Sequence, residues 1–259
     1  MLKAVIFARI LHGKTIIAIV LLASFEYMRN EMRTIIIGDI HGCSLQLMGL
    51  LDQLKPNPEE DRLIFLGDLF DRGPDSWGVF QIVKSLAESY QDRFTLLRGN
   101  HEDYLLAEKL TFGQKLIWER VGRKATVMSF KVHGEKMEDT IPWLKEHCQM
   151  SYKDQAIQCV HAGLLIDPIE LNDTYTMIHD HNIVLTNQYA GPLTIVGHIA
   201  LDEPTWFAGD GETTEQLAEE EEHELPKQGI ICIDTGCGKG GKLTGMIISG
   251  STYKLVSVP

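Results

Sequence analysis

The chain repeats one arrangement five times, namely a short apolar run followed directly by a polar motif. An apolar run of four or five residues that stops at a turn residue is typical of a buried strand. The motifs are Gly38-Asp39-Ile40-His41-Gly42, Gly67-Asp68-Leu69-Phe70-Asp71-Arg72-Gly73, Gly99-Asn100-His101-Glu102, His161-Ala162-Gly163 and Gly197-His198. We therefore expect each motif to lie at the end of a strand.

The first part of this pattern alternates strands with helices. Residues 34–37, 62–66 and 94–97 are predicted strands; residues 43–54 are a predicted helix, and Pro74 opens a second one. This alternation predicts an α/β fold with parallel strands joined by crossover helices. The first three motifs then lie at the carboxyl ends of strands, where open α/β sheets bind their ligands.

The second half of the chain is predicted to be rich in short strands. Residues 102–148 are mainly helical in pattern, with breaks expected at Gly113, Gly122 and Gly134. Further strands are predicted at residues 156–160, 193–196, 229–233, 243–249 and 253–258. These short strands indicate a second, mixed sheet packed on the first, within a single domain.

The polar motifs together supply carboxylate, amide and imidazole groups, a mixed ligand set that suits two divalent transition metal ions. The candidate ligands are Asp39, His41, Asp68, Asn100, His161 and His198. Each motif alone is better explained by a turn or a buried histidine, so the prediction depends on all five occurring in order. His179-Asp180-His181 also looks like a ligand cluster, but it lies outside these motifs and is left out of the predicted site.

The negative net charge of the chain excludes one class of binding partner. The 259-residue chain is 44% hydrophobic and carries a net charge of −12, whereas duplex binding depends on Lys and Arg neutralising phosphates. We therefore expect no nucleic-acid partner. A phosphorylated small substrate remains compatible with this charge, because bound metal ions can invert the local potential.

The cysteines point to a reducing compartment. There are five of them, an odd number, and none are spaced as Cys-x-x-Cys. This pattern favours reduced thiols over a disulfide framework or a zinc ribbon, and it predicts a cytoplasmic location.

Residues 1–31 are predicted to be an N-terminal extension, and the domain is predicted to comprise residues 32–259. The apolar run of the extension at residues 16–25 is too short to span a bilayer and resembles the apolar part of a signal peptide. Three interpretations stay open: a start codon assigned too far upstream, a leader or peripheral anchor, or a genuine extra strand and helix. A membrane partner is not expected.

The ordered motifs resemble the PPP branch of the calcineurin-like metallophosphoesterases. This branch includes Ser/Thr protein phosphatases and bacterial symmetrical diadenosine tetraphosphate hydrolases. The extension Asp71-Arg72-Gly73 narrows the resemblance to this branch, and residues 233–238 resemble the closing segment of its bacterial members. The resemblance covers residues 32–259 and implies a central β-sandwich of two mixed sheets flanked by helices.

The resemblance also implies a role for each metal ligand. Asp39 and His41 would bind the first ion, and Asp68 would bridge the two ions. The second ion would be bound by Asn100, His161 and His198. Mn²⁺ is the expected metal, with Fe, Zn or Mg as alternatives.

Four further residues receive roles in the reaction through the resemblance. His101 would be the general acid that protonates the leaving oxygen, and Asp71 would orient its ring. Arg72 and Arg98 would bind the phosphate, a task suited to the guanidinium fork. Members of the PPP branch that act on proteins usually carry another phosphate-binding Arg after the His-x-Gly segment, but no Arg occurs between Ala162 and Gly197 here.

The expected function is therefore hydrolysis of phosphomonoesters on Ser/Thr phosphoproteins, by attack of a metal-activated water. The alternative is hydrolysis of a dinucleoside polyphosphate such as diadenosine tetraphosphate. A catalytically inactive scaffold is disfavoured, since all six ligands and the pair His101 and Asp71 are present.

Overall fold

Two mixed β-sheets form the framework of the protein, for which a computed structural model describes residues 32–259. The predictions made for residues 1–31, as a mis-assigned start, a leader or anchor, or extra structure, lie outside the described residues. Within residues 32–259, no helix has both the length and the apolar character needed to cross a membrane.

The described part of the chain contains thirteen strands and seven α-helices. The strands are β1 (Arg33–Ile37), β2 (Asp61–Phe65), β3 (Phe94–Leu97), β4 (Cys148–Gln149), β5 (Tyr152–Lys153), β6 (Gln158–Cys159), β7 (Thr194–Val196), β8 (Thr205–Phe207), β9 (Thr214–Gln216), β10 (Glu222–Glu224), β11 (Ile230–Cys232), β12 (Leu243–Ser249) and β13 (Thr252–Val258). The helices are α1 (Ser44–Leu54), α2 (Ser76–Tyr90), α3 (Asn100–Leu106), α4 (Phe112–Arg120), α5 (Arg123–Val132), α6 (Ile141–His147) and α7 (Thr174–Ile178).

The first sheet has seven strands in the order β10-β13-β12-β1-β2-β3-β4. Strands β1 to β4 are parallel, as the alternation of strands and helices predicts. The second sheet has six strands in the order β5-β6-β7-β11-β8-β9, and its central strands β6, β7 and β11 are parallel. The predicted pair of mixed sheets is confirmed.

Alternating side chains in the central strands divide the core into layers. Ile36 of β1 faces the second sheet and belongs to one apolar cluster with Ile195 and Ile231. Its neighbours Ile35 and Ile37 point to the opposite face, into a cluster that includes residues of α1 and α2. Because both faces of β1 are buried, its sequence is continuously apolar. The arrangement is a β-sandwich flanked by helices.

Helix α2 begins at Ser76, two residues after the Pro74 that was expected to open it. Asp75 is the N-cap residue, and its Oδ1 accepts a hydrogen bond from the Gly78 amide at 2.9 Å. Such a cap satisfies one of the backbone N–H groups that the first turn of a helix leaves unpaired. The cap follows directly on the Gly67–Gly73 motif, and so fixes the position of that loop.

Strands β12 and β13 were predicted to belong to the second sheet, and this prediction is wrong. Strands β12 and β13 extend the first sheet, where β12 pairs antiparallel with β1. Strand β12 contributes to the cores on both faces of this sheet, with Leu243 in the cluster on the helix side and Met246 in the cluster between the sheets. The strand predicted at 156–160 is also shorter, Gln158–Cys159, and Gly113 lies inside α4 rather than at a break.

Candidate metal centre and active site

The polar motifs lie together at the carboxyl ends of parallel strands. Those following β1, β2 and β3 share one edge of the first sheet, and those near the ends of β6 and β7 share one edge of the second. The side chains of the motifs meet between these edges, as distances below 4 Å between Asp68 and His161 demonstrate. The site is therefore built by both sheets.

Five site residues that are not glycine have a left-handed backbone. The φ angles are 47° for His41, 50° for Asp68, 71° for Asp71, 65° for Arg72 and 66° for His198. This conformation costs free energy for residues with a Cβ, and it persists where the surrounding structure imposes it, most often at functional sites. The turns therefore aim these side chains at the expense of local stability.

Asp68 occupies the centre of the site. Its Oδ2 lies 3.5 Å from His41 Nε2 on one side and 3.5 Å from His161 Nε2 on the other. Its Oδ1 accepts a hydrogen bond from the His101 amide at 3.0 Å. A carboxylate oxygen between two imidazoles is suited to a ligand shared by two ions.

Two groups of potential ligand atoms share this aspartate. One group is His41, Asp68 and His101, and the other is Asp68, His161 and His198; within each, the ligand atoms lie within 4.8 Å of one another. All of these residues are buried. The geometry thus offers two adjacent cation sites with Asp68 common to both.

The second group also includes the amide of Asn100. Its Oδ1 lies 2.9 Å from His198 Nδ1 and 3.2 Å from His161 Nε2. The other ring nitrogen of His161, Nδ1, donates to the Leu66 carbonyl at 2.8 Å. That bond fixes the tautomer and leaves the lone pair of Nε2 directed into the site.

The first group is oriented in the same way. His41 Nδ1 donates to the Phe70 carbonyl at 2.8 Å, so Nε2 faces Asp68 and the Arg72 guanidinium. Asp39 Oδ2 accepts from the His198 amide at 3.0 Å, which ties the two halves of the site together.

Unpartnered polar atoms indicate that this donor set fits cations. Asp39 Oδ1 and the Nε2 atom of His101, which belongs to one of the ligand groups, are buried without a hydrogen-bond partner, an arrangement that is costly in a folded protein. Burial raises the pKa of Asp39, and the neighbouring Asp234 raises it further. Cations bound beside these carboxylates would offset both the burial and the repulsion, so the residues present fit a metal centre.

The histidines differ in electrostatic environment. Burial lowers the pKa of His198 to about 2, and the charge of His161 acts in the same direction; a neutral imidazole of this kind is the ligand form. Burial also lowers the pKa of His161, but the carboxylates of Asp68 and Asp39 outweigh it and raise the pKa to about 10. The carboxylates therefore attract positive charge to this point of the site, as a proton or as a metal ion.

A second functional feature, the pair His101 and Asp71, lies beside the metal groups. His101 Nδ1 donates to Asp71 Oδ2 at 2.6 Å, and its Nε2 is buried, unpartnered and 3.8 Å from Asp68 Oδ2. A carboxylate bound to Nδ1 fixes the ring so that Nε2 can exchange a proton with a reacting oxygen.

In front of this pair lies an open cavity of about 430 Å³. Its lining includes the polar residues Arg72, Asn100, His101 and His198, together with apolar residues such as Ile117, Val121 and Leu185. A substrate can therefore reach both the metal ligands and His101 from solvent.

The match to known proteins decides the family. A model of the calcineurin-like phosphoesterase family matches residues 32–227, which is more than half of the chain. The chain belongs to the calcineurin-like phosphoesterase family. Members of this family use a binuclear divalent metal centre, and the two ligand groups that share Asp68 agree with it.

Relatives of this calcineurin-like phosphoesterase include proteins named symmetrical bis(5'-nucleosyl)-tetraphosphatase. The protein of that name from Erwinia tasmaniensis is 35% identical over 51% of this chain and 45% of its own length. One from Coxiella burnetii is 30% identical over 75% of this chain and 62% of its own. This chain spans about half the length of the curated relatives it matches.

A solved structure supports the fold. The metallophosphoesterase from Sphaerobacter thermophilus superposes with a TM-score of 0.61, at 17% identity, over 88% of this chain and 89% of its own. At this identity the likeness concerns the fold, which is the one expected from the motifs.

The two predicted phosphate-binding arginines of this calcineurin-like phosphoesterase occupy different environments. Arg72 lines the cavity and contacts His41. Arg98 instead forms an ion pair with Asp103 at 2.6 Å and is not among the cavity-lining residues. Its role in phosphate binding stays a prediction.

The cluster His179-Asp180-His181 belongs to neither metal group. His179 Nε2 lies 2.8 Å from Asp103 Oδ2, next to the Arg98 ion pair. His181 stacks on the ring of His198, with centroids 4.2 Å apart, and lines the cavity. His181 therefore lines the cavity next to His198, a candidate metal ligand.

Two residues that hold Asp71 were missed by sequence reasoning. Trp118 Nε1 donates to Asp71 Oδ2 at 2.7 Å, and Thr126 Oγ1 donates to Asp71 Oδ1 at 2.6 Å. They lie 47 and 55 residues further along the chain. No local pattern connects such distant positions, and Trp118 alone is read as a packing residue.

Removing one of these donors is expected to slow the reaction without loss of metal. The variant Trp118→Phe retains the aromatic contact to Tyr104 but lacks the N–H that restrains Asp71. A hydrogen bond to a charged group contributes about 1.5–3 kcal/mol, so we expect kcat to fall by about tenfold. Steady-state kinetics and metal analysis of the purified variant measure both quantities.

The matched control is Trp143→Phe, which loses the same N–H from an indole packed on Phe80 and His147. It should leave kcat unchanged. In a His101→Asn background, Trp118→Phe should have little further effect, because residues that act as one unit are not additive. Additive losses would instead mean that Trp118 acts independently of the pair.

Glu102 is a third residue without a predicted role. Its carboxylate accepts hydrogen bonds from the amides of Asp68 at 2.8 Å, Leu69 at 2.9 Å and Gly99 at 3.1 Å. Burial raises its pKa to about 7, and the charge of Asp68 acts in the same direction. The one available signal was its position as the last residue of the Gly99-Asn100-His101-Glu102 motif.

Glu102→Gln is expected to destabilise the protein by about 2 kcal/mol, the cost of leaving a buried donor unpaired. In the glutamine, an NH₂ group takes the place of one carboxylate oxygen. This group cannot accept a hydrogen bond from the backbone amides that face Glu102. Urea unfolding at pH 8, above the pKa of Glu102, measures this change.

Glu119→Gln serves as the control, since Glu119 is half exposed and pairs only with Arg123. Exposed ion pairs of this type contribute little, about 0–1 kcal/mol. Equal stabilities for the two variants would show that the metal-site loops do not depend on Glu102.

Proposed function

We propose that this chain hydrolyses dinucleoside tetraphosphates at a binuclear divalent metal centre and releases two nucleoside diphosphates. The observation that carries the proposal is the 30% identity, over 75% of the chain, to a protein named symmetrical bis(5'-nucleosyl)-tetraphosphatase. The sequence motifs favoured Ser/Thr phosphoproteins as substrates, with nucleotide hydrolysis as the alternative. The relatives favour that alternative.

The chemistry of the cavity is compatible with a nucleotide. Its lining includes the positive Arg72 and the candidate metal ligands Asn100 and His198, where phosphates can bind, and also apolar side chains, of which Ile117 and Leu185 are half exposed. Large exposed apolar side chains beside a polar centre are typical of a ligand site. A flat nucleobase would cover these side chains, whereas a bare phosphate would leave them in water.

The metal ions are proposed to be Mn²⁺, with Fe, Zn or Mg as alternatives. Asp39 and His41 would hold the first ion, and Asn100, His161 and His198 the second, with Asp68 shared. When bound, two divalent ions supply an acidified water and neutralise the phosphoryl oxygens. All other steps are carried out by side chains.

His101 is proposed to donate the proton that the leaving group needs. Its Nδ1–H is bound to Asp71 at 2.6 Å, so Nε2 carries a second proton when the ring is an imidazolium. Transfer of the Nε2 proton to the leaving phosphate oxygen leaves the neutral ring still bonded to Asp71. Arg72 would bind the phosphoryl oxygens through its guanidinium.

A direct comparison of substrates tests the proposal. With Mn²⁺ present, kcat/KM is measured in parallel for diadenosine tetraphosphate, a phosphoserine peptide and a phosphotyrosine peptide. We expect the dinucleotide to give the highest value and ADP to be the only nucleotide product. A higher value for a phosphopeptide would overturn the proposal in favour of a protein phosphatase.

A further inference from the structure

Of the Lys, Arg, Asp and Glu residues that the structure describes, those that line the cavity are all cations, although the whole chain is negative. The protein carries a net charge of −12, yet the described residues that line the cavity include two cations, Arg72 and Lys239, and no Asp or Glu. A cavity of one sign concentrates ligands of the other. The second cation, Lys239, belongs to none of the predicted roles.

Lys239 is presented by a tight turn that packs on the metal site. Its amide donates to the Gly236 carbonyl at 2.9 Å, and Gly236 and Gly240 on either side have left-handed backbones. A Cβ at Gly238 would lie 2.5 Å from the Cβ of His41 and 2.9 Å from that of Arg72. No side chain fits there, so the turn lies directly against the two loops that carry these residues, the one after β1 and the one after β2.

The amine of Lys239 is available for a ligand. Lys242 pairs with Glu203 and Glu219, and Lys254 pairs with Glu220, whereas no carboxylate within residues 32–259 forms an ion pair with Lys239. The side chain is exposed at the cavity. The Lys239 ammonium lines the same cavity as Arg72 and is not held in an ion pair by any of these residues, so it can bind an anionic ligand.

Another segment that lines the cavity, residues 163–196, supplies no lysine or arginine side chain. Residues 163–196, which include the lining residues His181, Asn182 and Leu185, contain neither Lys nor Arg. Positive charge beyond Arg72 therefore comes from Lys239.

We propose that Lys239 determines specificity for a polyphosphate chain, by binding the phosphate next to the one under attack. The inference rests on the proposed function and extends it. A phosphomonoester presents a single phosphoryl group, which the metal ligands and Arg72 already surround. A tetraphosphate continues beyond that group with further negative charge, and Lys239 lines the same cavity as Arg72.

The test compares two substrates in the Mn²⁺-loaded enzyme. The values of kcat/KM for diadenosine tetraphosphate and for p-nitrophenyl phosphate are measured for the parent and for Lys239→Gln, and their ratio is the readout. We expect the ratio to fall by about tenfold or more, from the loss of one charge-assisted hydrogen bond. The loss on the dinucleotide should be in KM, since binding is weakened.

Two further variants complete the design. Lys239→Arg retains the positive charge and should keep the ratio close to that of the parent. Lys242→Gln removes a lysine three positions away whose amine is 2.9 Å from Glu203 and 2.8 Å from Glu219. It should leave the ratio unchanged.

The possible outcomes separate the inference from the proposed function. If the parent cleaves diadenosine tetraphosphate and Lys239→Gln lowers both substrates equally, the role of Lys239 is overturned and the proposed function stands. If the parent cleaves only p-nitrophenyl phosphate, both are overturned. A selective loss that Lys239→Arg restores supports both.

Discussion

Asp68→Asn is expected to lower kcat/KM by about 10³-fold or more and to leave fewer than two metal ions bound per chain. Asp68 Oδ2 lies 3.5 Å from both His41 Nε2 and His161 Nε2, so it is the single atom that both metal groups share. The amide of Asn lacks the charge needed to neutralise two adjacent cations. Metal content after dialysis, measured by mass spectrometry, and kinetics with added Mn²⁺ test both expectations.

The loss should come from the site and not from unfolding. An Asn at position 68 keeps a carbonyl oxygen that can accept from the His101 amide, as Asp68 Oδ1 does at 3.0 Å. Circular dichroism of the variant should therefore match that of the parent. Asp92→Asn is the control for removal of one negative charge, because Asp92 is exposed in a short 3-10 turn. Two ions bound to Asp68→Asn at full affinity would disprove the shared ligand.

The candidate ligands could be predicted from the sequence because each stands directly after a strand. Once β1, β2 and β3 are parallel, their carboxyl ends meet, and the side chains that follow them have to lie close together. His161 and His198 follow the same rule in the second sheet. Strand order and spacing thus carry most of the information about the metal groups.

The partners of Asp71 could not be predicted in this way. Trp118 and Thr126 lie in α4 and α5, and their contact with Asp71 depends on how these helices pack on the loop after β2. Packing of this kind is decided by tertiary fit, which a single sequence does not encode in any local period. The ion pair that turns Arg98 toward Asp103 is hidden for the same reason.

Sheet membership was the part of the fold that sequence patterns left undecided. The residues of β12 and β13 read as strands, but alternation says nothing about which neighbour a strand pairs with. The pairing of Ile35 with Ile247 and of Ile37 with Gly245 joins the end of the described chain to its beginning. A long-range contact of this type becomes visible only in the folded structure.

His101→Asn is expected to reduce turnover by about 10²-fold or more on substrates with poor leaving groups, while both metal ions remain bound. The reason is that the leaving oxygen of a serine phosphate must be protonated as its bond to phosphorus breaks, whereas the nucleoside diphosphate released from a dinucleoside tetraphosphate is a better leaving group and should show a smaller loss. With p-nitrophenyl phosphate the leaving group is stable as an anion, so the loss should be far smaller. Kinetics on both substrates, together with metal analysis, measure the effect.

The metal analysis matters because the structure allows two roles for His101. Its Nε2 forms part of one potential metal group, yet Nδ1 is bound to Asp71 at 2.6 Å, as a general acid requires. A ligand role predicts that His101→Asn loses metal and slows all substrates equally. An acid role predicts intact metal and a loss that grows as the leaving group becomes poorer. His133→Asn is the control for a His-to-Asn substitution away from the site, because His133 stacks on Trp77. It should change neither the metal content nor the turnover.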